Sequence, residues 1–269
     1  SLNKRGEEMA KSIAIFNQKG GVGKTTTNIN LCSYLASWGK KILTIDIDPQ
    51  GNTTSGIGMD KSKIELSVYN VIIEGVDPKA AIQKTSVKNL YILPSTVELA
   101  GAEIELIGVN NREIKLKEAL KSLEDDFDFI FIDCPPSLGL LTVNALAAVD
   151  SVIIPIQCEF YALEGVGQLI NTIQLVRKSL NQNLEIEGVV MCMYDNRTNL
   201  SEAVFDEVKK FFKGKVYNTI IPRNIKLAES PSYGQPIMAY DPKCRGAEAY
   251  QELAKEFLIN EKYRAKGVI

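Results

Sequence analysis

A chain of 269 residues, 45% hydrophobic and 24% charged, has the makeup of a soluble globular protein able to bury a sizeable core. Its net charge of −2 gives no global attraction to nucleic acid, so such binding would need a local patch or several copies. No apolar run is long enough to span a membrane, SLNKRGEE has no signal-peptide character, and histidine is absent, leaving carboxylates as the only ordinary general bases.

Residues 1–10 read as an extension or an expression remnant ahead of the first structured element. Lys11–Asn17 (KSIAIFN) is β-branched and aromatic, which predicts a buried strand. Gln18-Lys19-Gly20-Gly21-Val22-Gly23-Lys24-Thr25-Thr26 follows, a phosphate-binding loop that departs from G-x-x-x-x-G-K-[ST] by placing Gln18 where glycine is expected. Its glycines permit backbone that turns successive N–H groups toward an anion. The helix predicted over Thr25–Ala36 would add its N-terminal partial charge. Lys24 is expected to reach the β- and γ-phosphates, and the Thr25 hydroxyl to bind Mg²⁺.

Further apolar runs predict strands at Lys41–Asp46, Leu90–Leu93, Phe127–Asp133, Ser151–Gln157, Ile186–Met193 and Val216–Ile221. Helical spacing recurs between them at Val97–Ile107, Glu113–Leu123, Glu164–Leu180 and Ser201–Phe212, and again at Ala247–Glu261. This alternation predicts an α/β fold, a wound and mostly parallel sheet flanked by helices, in one domain. Cys32, Cys134, Cys158, Cys192 and Cys244 form no C-x-x-C pair and are expected to be reduced core thiols of a cytoplasmic protein.

Two strands end in aspartate, where a wound sheet binds its ligands. Asp133 closes FDFIFID and is expected to hold Mg²⁺, directly or through a water. Asp46 and Asp48 close KILTIDID; Asp48, nearer the following loop, is better placed to orient water, with Asp46 behind it. Phosphoryl transfer needs orientation and charge neutralisation more than covalent help, so the lack of histidine is no obstacle.

KGGVGKTTT, IDIDPQGNTTSGIG, IDCPPSLGLLTVNAL and IPRNIKLAESPSYGQPI together closely resemble the ParA/Soj group of DNA-segregation ATPases, which stands with MinD among the dimer-forming P-loop NTPases with a deviant Walker A motif. The resemblance runs from about residue 11 to 258. It implies a single ATPase domain over 11–262 with a tail at 263–269, and ATP and Mg²⁺ as the bound groups. By that resemblance, Lys19 is the signature lysine that crosses a nucleotide-sandwich dimer, and Gly20, Gly21, Val22, Gly23, Lys24, Thr25 and Thr26 hold the phosphates. Asp48 becomes the switch aspartate, Asp133 the Walker B carboxylate, and Pro222 with Asn224 the segment beside the adenine.

The group also implies ATP-dependent homodimers on nonspecific double-stranded DNA and a ParB-type centromere-binding partner. Chromosome or plasmid segregation would be the outcome, with control of replication or sporulation as a further implication and a nucleoid-associated location. Arg197, Arg223 and Lys226 look like the DNA-contacting positions, with Lys243, Arg245 and Lys262 as further candidates. The alternative is a MinD-like membrane-cycling ATPase. The tail EKYRAKGVI carries few bulky apolar residues, which disfavours it, and no stable membrane association is expected.

Overall fold

The computed structural model describes residues 9–159, 162–195, 197 and 199–265; most of the extension at 1–10 and the last four residues of the tail at 263–269 lie outside them. The β-branched runs form strands β1 (Lys11–Ile15), β2 (Ile42–Asp46), β3 (Gln83–Lys84), β4 (Leu90–Leu93), β5 (Phe129–Asp133), β6 (Ser151–Gln157), β7 (Glu185–Tyr194) and β8 (Val216–Pro222). They make one sheet in the order β3-β4-β2-β5-β1-β6-β7-β8, parallel throughout except for β3 on β4.

Between and after the strands run α1 (Lys24–Ser37), α2 (Asn52–Gly56), α3 (Pro78–Ala81), α4 (Leu99–Glu105), α5 (Lys115–Leu120), α6 (Leu140–Ala148), α7 (Ala162–Ser179), α8 (Asn199–Phe211), α9 (Ile225–Glu229), α10 (Ile237–Tyr240) and α11 (Arg245–Ala265). The strands are apolar on both faces because both are covered. Ile13, Ile15, Ile42, Phe129, Phe131 and Ile153 pack with Leu31, Leu35, Tyr250 and Phe257 from α1 and α11. Ala14, Leu43, Ile45, Ile130, Ile132 and Ile154 pack on the other face against residues from α4 to α8, including Leu146, Leu169 and Val208.

Several elements depart from the sequence reading, among them α2, α3, α9 and α10, each only four or five residues and too short to show a helical period. LLTVNALAA forms α6, which the sequence reading leaves out: six of its nine side chains are buried and none is exposed, so it shows no polar face to give a helical period. The edge strand β3 is two residues long, too short for any pattern. The predicted helices at 97–107 and 113–123 are also shorter in α form, each joined to a 3-10 turn, at Leu106–Gly108 and Arg112–Ile114.

The far end of α11 is tied to the amino-terminal ends of β1 and β7, opposite the loop. Lys11 Nζ pairs with Glu261 at 2.6 Å and with the buried Glu187 at 2.7 Å, and Arg264 also pairs with Glu187. β1 lies in the middle of the sheet with β5 and β6 on either side, so the chain winds outward in both directions from it. The crevice at such a reversal, at the carboxyl ends of the strands, is where a ligand fits.

Candidate active site

The loop after β1 is shaped by residues that only glycine replaces without strain. Gly21 and Gly23 have φ of +72° and +97°, which strain any other residue, and Gly23 lies directly over the Cys192 side chain. Gly23 caps α1, whose first turn carries no acidic residue to compete with an anion. Val22 is buried and seats the loop, whereas Gly20 and Gly21 are exposed; Thr26 is partly exposed, and its carbonyl accepts from the Asn30 amide.

The two lysines of the loop have opposite dispositions. Lys24 is only 7% exposed, and its ammonium donates to the carbonyl of Lys19 at 2.9 Å. Burial pulls its pKa below the usual lysine value, and the nearby carboxylates of Asp133 and Asp48 oppose that pull. Lys19 has a side chain 48% exposed, and among the described residues its ammonium meets only the similarly exposed Glu159, at 3.5 Å. Such a contact constrains it little.

The carboxylates meet at the ends of β2 and β5, where Asp46 and Asp133 are in register. Asp133 Oδ2 accepts from Thr25 Oγ1 at 2.7 Å and from Thr53 Oγ1 at 2.8 Å, while its buried Oδ1 has no partner among the described residues. Burial first, and then the adjacent Asp46, push the Asp133 carboxyl up to about 7. Asp46 is fully buried and rises to about 6 for the same first reason. It accepts from the backbone and hydroxyl of Thr54 at 2.8 and 2.7 Å and from the Asp48 N–H at 3.2 Å. Asp46 thus braces the turn that carries Asp48. Asp48 in turn accepts from the Gln50 N–H at 2.9 Å, and its carbonyl is held by Ser95 Oγ at 2.7 Å.

Cys134, Cys158 and Cys192 are buried beside this site. Burial pushes the Cys158 and Cys192 thiols up to about 12, and Cys134 higher still, so they are neutral packing groups.

Pro222 ends β8, next to β7, whose Cys192 lies under Gly23; the IPRN segment is therefore on the loop's side of the sheet. Asn224 caps α9, its Oδ1 accepting from the N–H groups of Lys226 and Leu227 at 2.9 and 3.3 Å. Arg197, Arg223 and Arg245 line one open groove of about 970 Å³. Asp195, Glu248 and Glu252 line it too, so its six charges balance within one copy. Asp195 binds Arg197 through two nitrogens, at 2.8 and 2.7 Å. Lys226 is exposed on α9 and pairs with Glu229 at 3.0 Å. Lys243 is exposed just before α11, and Lys262 is about 25 Å along that helix from Arg245. Lys262 therefore belongs to the other end of the molecule and not to this groove.

A family model described as an AAA domain matches residues 10–186. The sporulation initiation inhibitor protein Soj of Bacillus subtilis is 57% identical over 252 residues, covering 94% of this chain and all of the relative. The chromosome partitioning protein ParA of Myxococcus xanthus is 48% identical, over 93% of this chain and 88% of its own. The chain belongs to the ParA/Soj family of chromosome-partitioning ATPases. Among solved structures, a cobyrinic acid a,c-diamide synthase from Mycobacterium smegmatis with bound ADP and magnesium superposes on the fold with a TM-score of 0.83. It is 39% identical and covers 94% of this chain and 96% of its own. The cell division ATPase MinD of Pyrococcus furiosus gives 0.77 at 29% identity, over 93% and 99%.

The ParA/Soj-type site suits Mg²⁺. Among the described residues no three His, Cys, Asp or Glu side chains gather to hold a metal by themselves. That fits a cation that keeps its waters and takes phosphate oxygens, with one hydroxyl from Thr25 and the unpartnered Asp133 oxygen nearby. The sequence reading did not include Thr53, Asn28 or Glu159 in this ParA/Soj-type site. Asn28 Nδ2 donates to Thr53 Oγ1 at 3.1 Å, which fixes the hydroxyl that Asp133 accepts. Thr53 lies 80 residues from Asp133 in sequence, and nothing in its spacing signals the contact.

Proposed function

We propose that this ParA/Soj-family ATPase is a nucleotide-gated dimer that segregates chromosomes or plasmids by binding nonspecific DNA in its ATP state and leaving it on hydrolysis. The observation that carries the reading is the contrast between the two lysines: Lys24 is buried in the cradle, and Lys19 stands half exposed at its rim.

In this reading the N–H groups of residues 20–26 and the Lys24 ammonium bind the triphosphate of ATP. Pro222 and Asn224 flank the adenine. Thr25 and Asp133 would hold Mg²⁺, which when bound neutralises phosphate charge. Asp48, fixed by Asp46 and Ser95, orients the attacking water. Lys19 reaches the phosphates of the partner copy and supplies charge in trans, as an arginine finger does. With no histidine in the chain, the chemistry is positioning and charge neutralisation.

The balanced charge of the arginine groove explains why one copy would bind DNA weakly. Two copies double the contacts along one duplex, so dimerisation would couple nucleotide state to DNA affinity. A ParB-type partner would stimulate hydrolysis at the dimer. Sedimentation with ATP, with ADP and without nucleotide, in the presence of DNA or anionic liposomes, tests the proposal. ATP-dependent dimers that pellet with DNA are expected. A monomer in ATP, or ATP-dependent pelleting with liposomes and none with DNA, would overturn it, the latter in favour of a MinD-like cycle.

A further inference from the structure

The residue that breaks the phosphate-loop pattern makes a contact that glycine could not. Gln18 Nε2 donates to Thr172 Oγ1, in the middle of α7, at 2.6 Å. Thr172 is 6% exposed, and its own hydroxyl donates to the Gln168 carbonyl at 3.1 Å, so its donor and an acceptor site are both used. It sits on the face of α7 that carries Val166, Leu169, Ile173 and Val176 into the core, where an apolar side chain would pack as well. The Gln168 carbonyl satisfies the donor of this buried hydroxyl, and Gln18 takes its acceptor site.

The hydrogen bonds around Lys19 show what the contact does. The Lys19 N–H donates to Asn17 Oδ1 at 3.0 Å, and the Lys19 carbonyl accepts from Lys24 at 2.9 Å. The first lies within the loop, and the second ties it to the first turn of α1. Two others leave it: Asn17 Nδ2 donates to the Pro155 carbonyl on β6 at 2.8 Å, and Gln18 reaches α7. The main chain of Lys19 is therefore held by α1, the sheet and, through Gln18, α7, while among the described residues its ammonium pairs only with the exposed Glu159.

We propose that Gln18 and Thr172 are positioning residues, a strut from α7 to the head of the loop that sets the reach of Lys19 toward a second copy of this chain. The proposal rests on Lys19 acting in trans. A lysine side chain has many rotamers, and fixing its backbone lowers the ordering it must undergo to reach across an interface. Neither hydrogen bond of the strut involves Lys24 or a glycine N–H, so it bears first on the lysine that crosses.

The test compares T172V, T172S and K19A, singly, and T172V combined with K19A, by MgATP affinity, the ATP-dependent dimerisation constant and single-turnover hydrolysis, with a melting curve for each. T172V is expected to keep MgATP affinity within about twofold while dimerisation and turnover fall roughly 3- to 10-fold, the size of one neutral hydrogen bond. T172S, which keeps the hydroxyl, should behave as the parent. In the K19A background T172V should change nothing further, because its effect passes through Lys19. Unchanged dimerisation and turnover in T172V, a parallel loss of MgATP affinity, or the same further loss on top of K19A would each overturn the strut. A K19A variant with full turnover would remove the trans reading and the strut with it; a damaged K19A beside an unaffected T172V removes the strut alone.

Discussion

Thr25 Oγ1 donates to Asp133 Oδ2 at 2.7 Å, joining the first turn of α1 to the end of β5 across 108 residues of sequence. The same oxygen takes the Thr53 hydroxyl, and the other carboxylate oxygen is buried without a partner among the described residues. Asp133→Ala should therefore weaken the magnesium-dependent part of nucleotide affinity by roughly 10- to 100-fold. Calorimetry with MgATP and with ATP in EDTA reads this directly: the gap between the two must shrink. Equal losses in both would show a damaged loop in place of a lost metal contact.

The Asp46–Asp133 pair gives a pH dependence with a definite sign. Both carboxyls are raised above their usual value, to about 6 and about 7, chiefly by burial. A group that binds protons more tightly when folded costs stability as pH rises from its unfolded pKa through its folded one. Metal-free protein should thus lose stability from this pair between about pH 4 and pH 7. Asp133→Asn should melt higher than the parent at pH 7.5 without Mg²⁺, with the gain fading toward pH 4. A gain that is absent, or independent of pH, would count against a charged buried pair.

Asp48→Ala should bind MgATP and dimerise but hydrolyse at least 100-fold more slowly, since only the water-orienting group is lost. The expected result is a complex that stays on DNA after ATP is added. Rapid release in that variant would assign the orienting role elsewhere.

Arg223→Ala should flatten the plot of log affinity for DNA against log salt by about one unit for each phosphate contact removed. Lys262→Ala, which changes a residue at the far end of α11, should leave the slope alone. Equal slopes in the parent and Arg223→Ala would take this arginine out of the DNA surface.

Gly188→Ala tests the packing behind the arginine groove. The space for a Cβ on Gly188 is filled by the ring of buried Tyr217, so the substitution overpacks β7 against β8. A loss of about 1–3 kcal/mol is expected, seen as a melting temperature lower by roughly 2–4 °C for each kcal/mol. An unchanged melting temperature would mean that the ring swings aside without cost.

Much of the candidate nucleotide site was legible because its parts are contiguous. The proposed cradle, Gly20 to Thr26, is one stretch, and a strand ending in aspartate reads as a carboxylate at the ligand edge of a parallel sheet. Elements that the sequence concealed failed for physical reasons. The helix α6 has no exposed side chain and so lacks the polar face that marks a helix in sequence. Thr53 and Asn28 join the Asp133 cluster through folding alone. Lys262 reads as one more basic residue beside Arg245, yet a long straight helix carries it away from the groove.

Sequence order alone places a P-loop-type motif after the first strand, puts Gln18 and Lys19 at its head in place of the usual glycine start, and leaves histidine out. These are matters of local order, read along the chain. The tertiary structure alone decided which lysine faces inward and which stands at the rim, that Asp46 braces Asp48, and that Gln18 is bound to a helix 154 residues later. Such facts depend on which strands become neighbours and which helix covers them, and no residue spacing encodes a contact between elements that meet only when the sheet is wound.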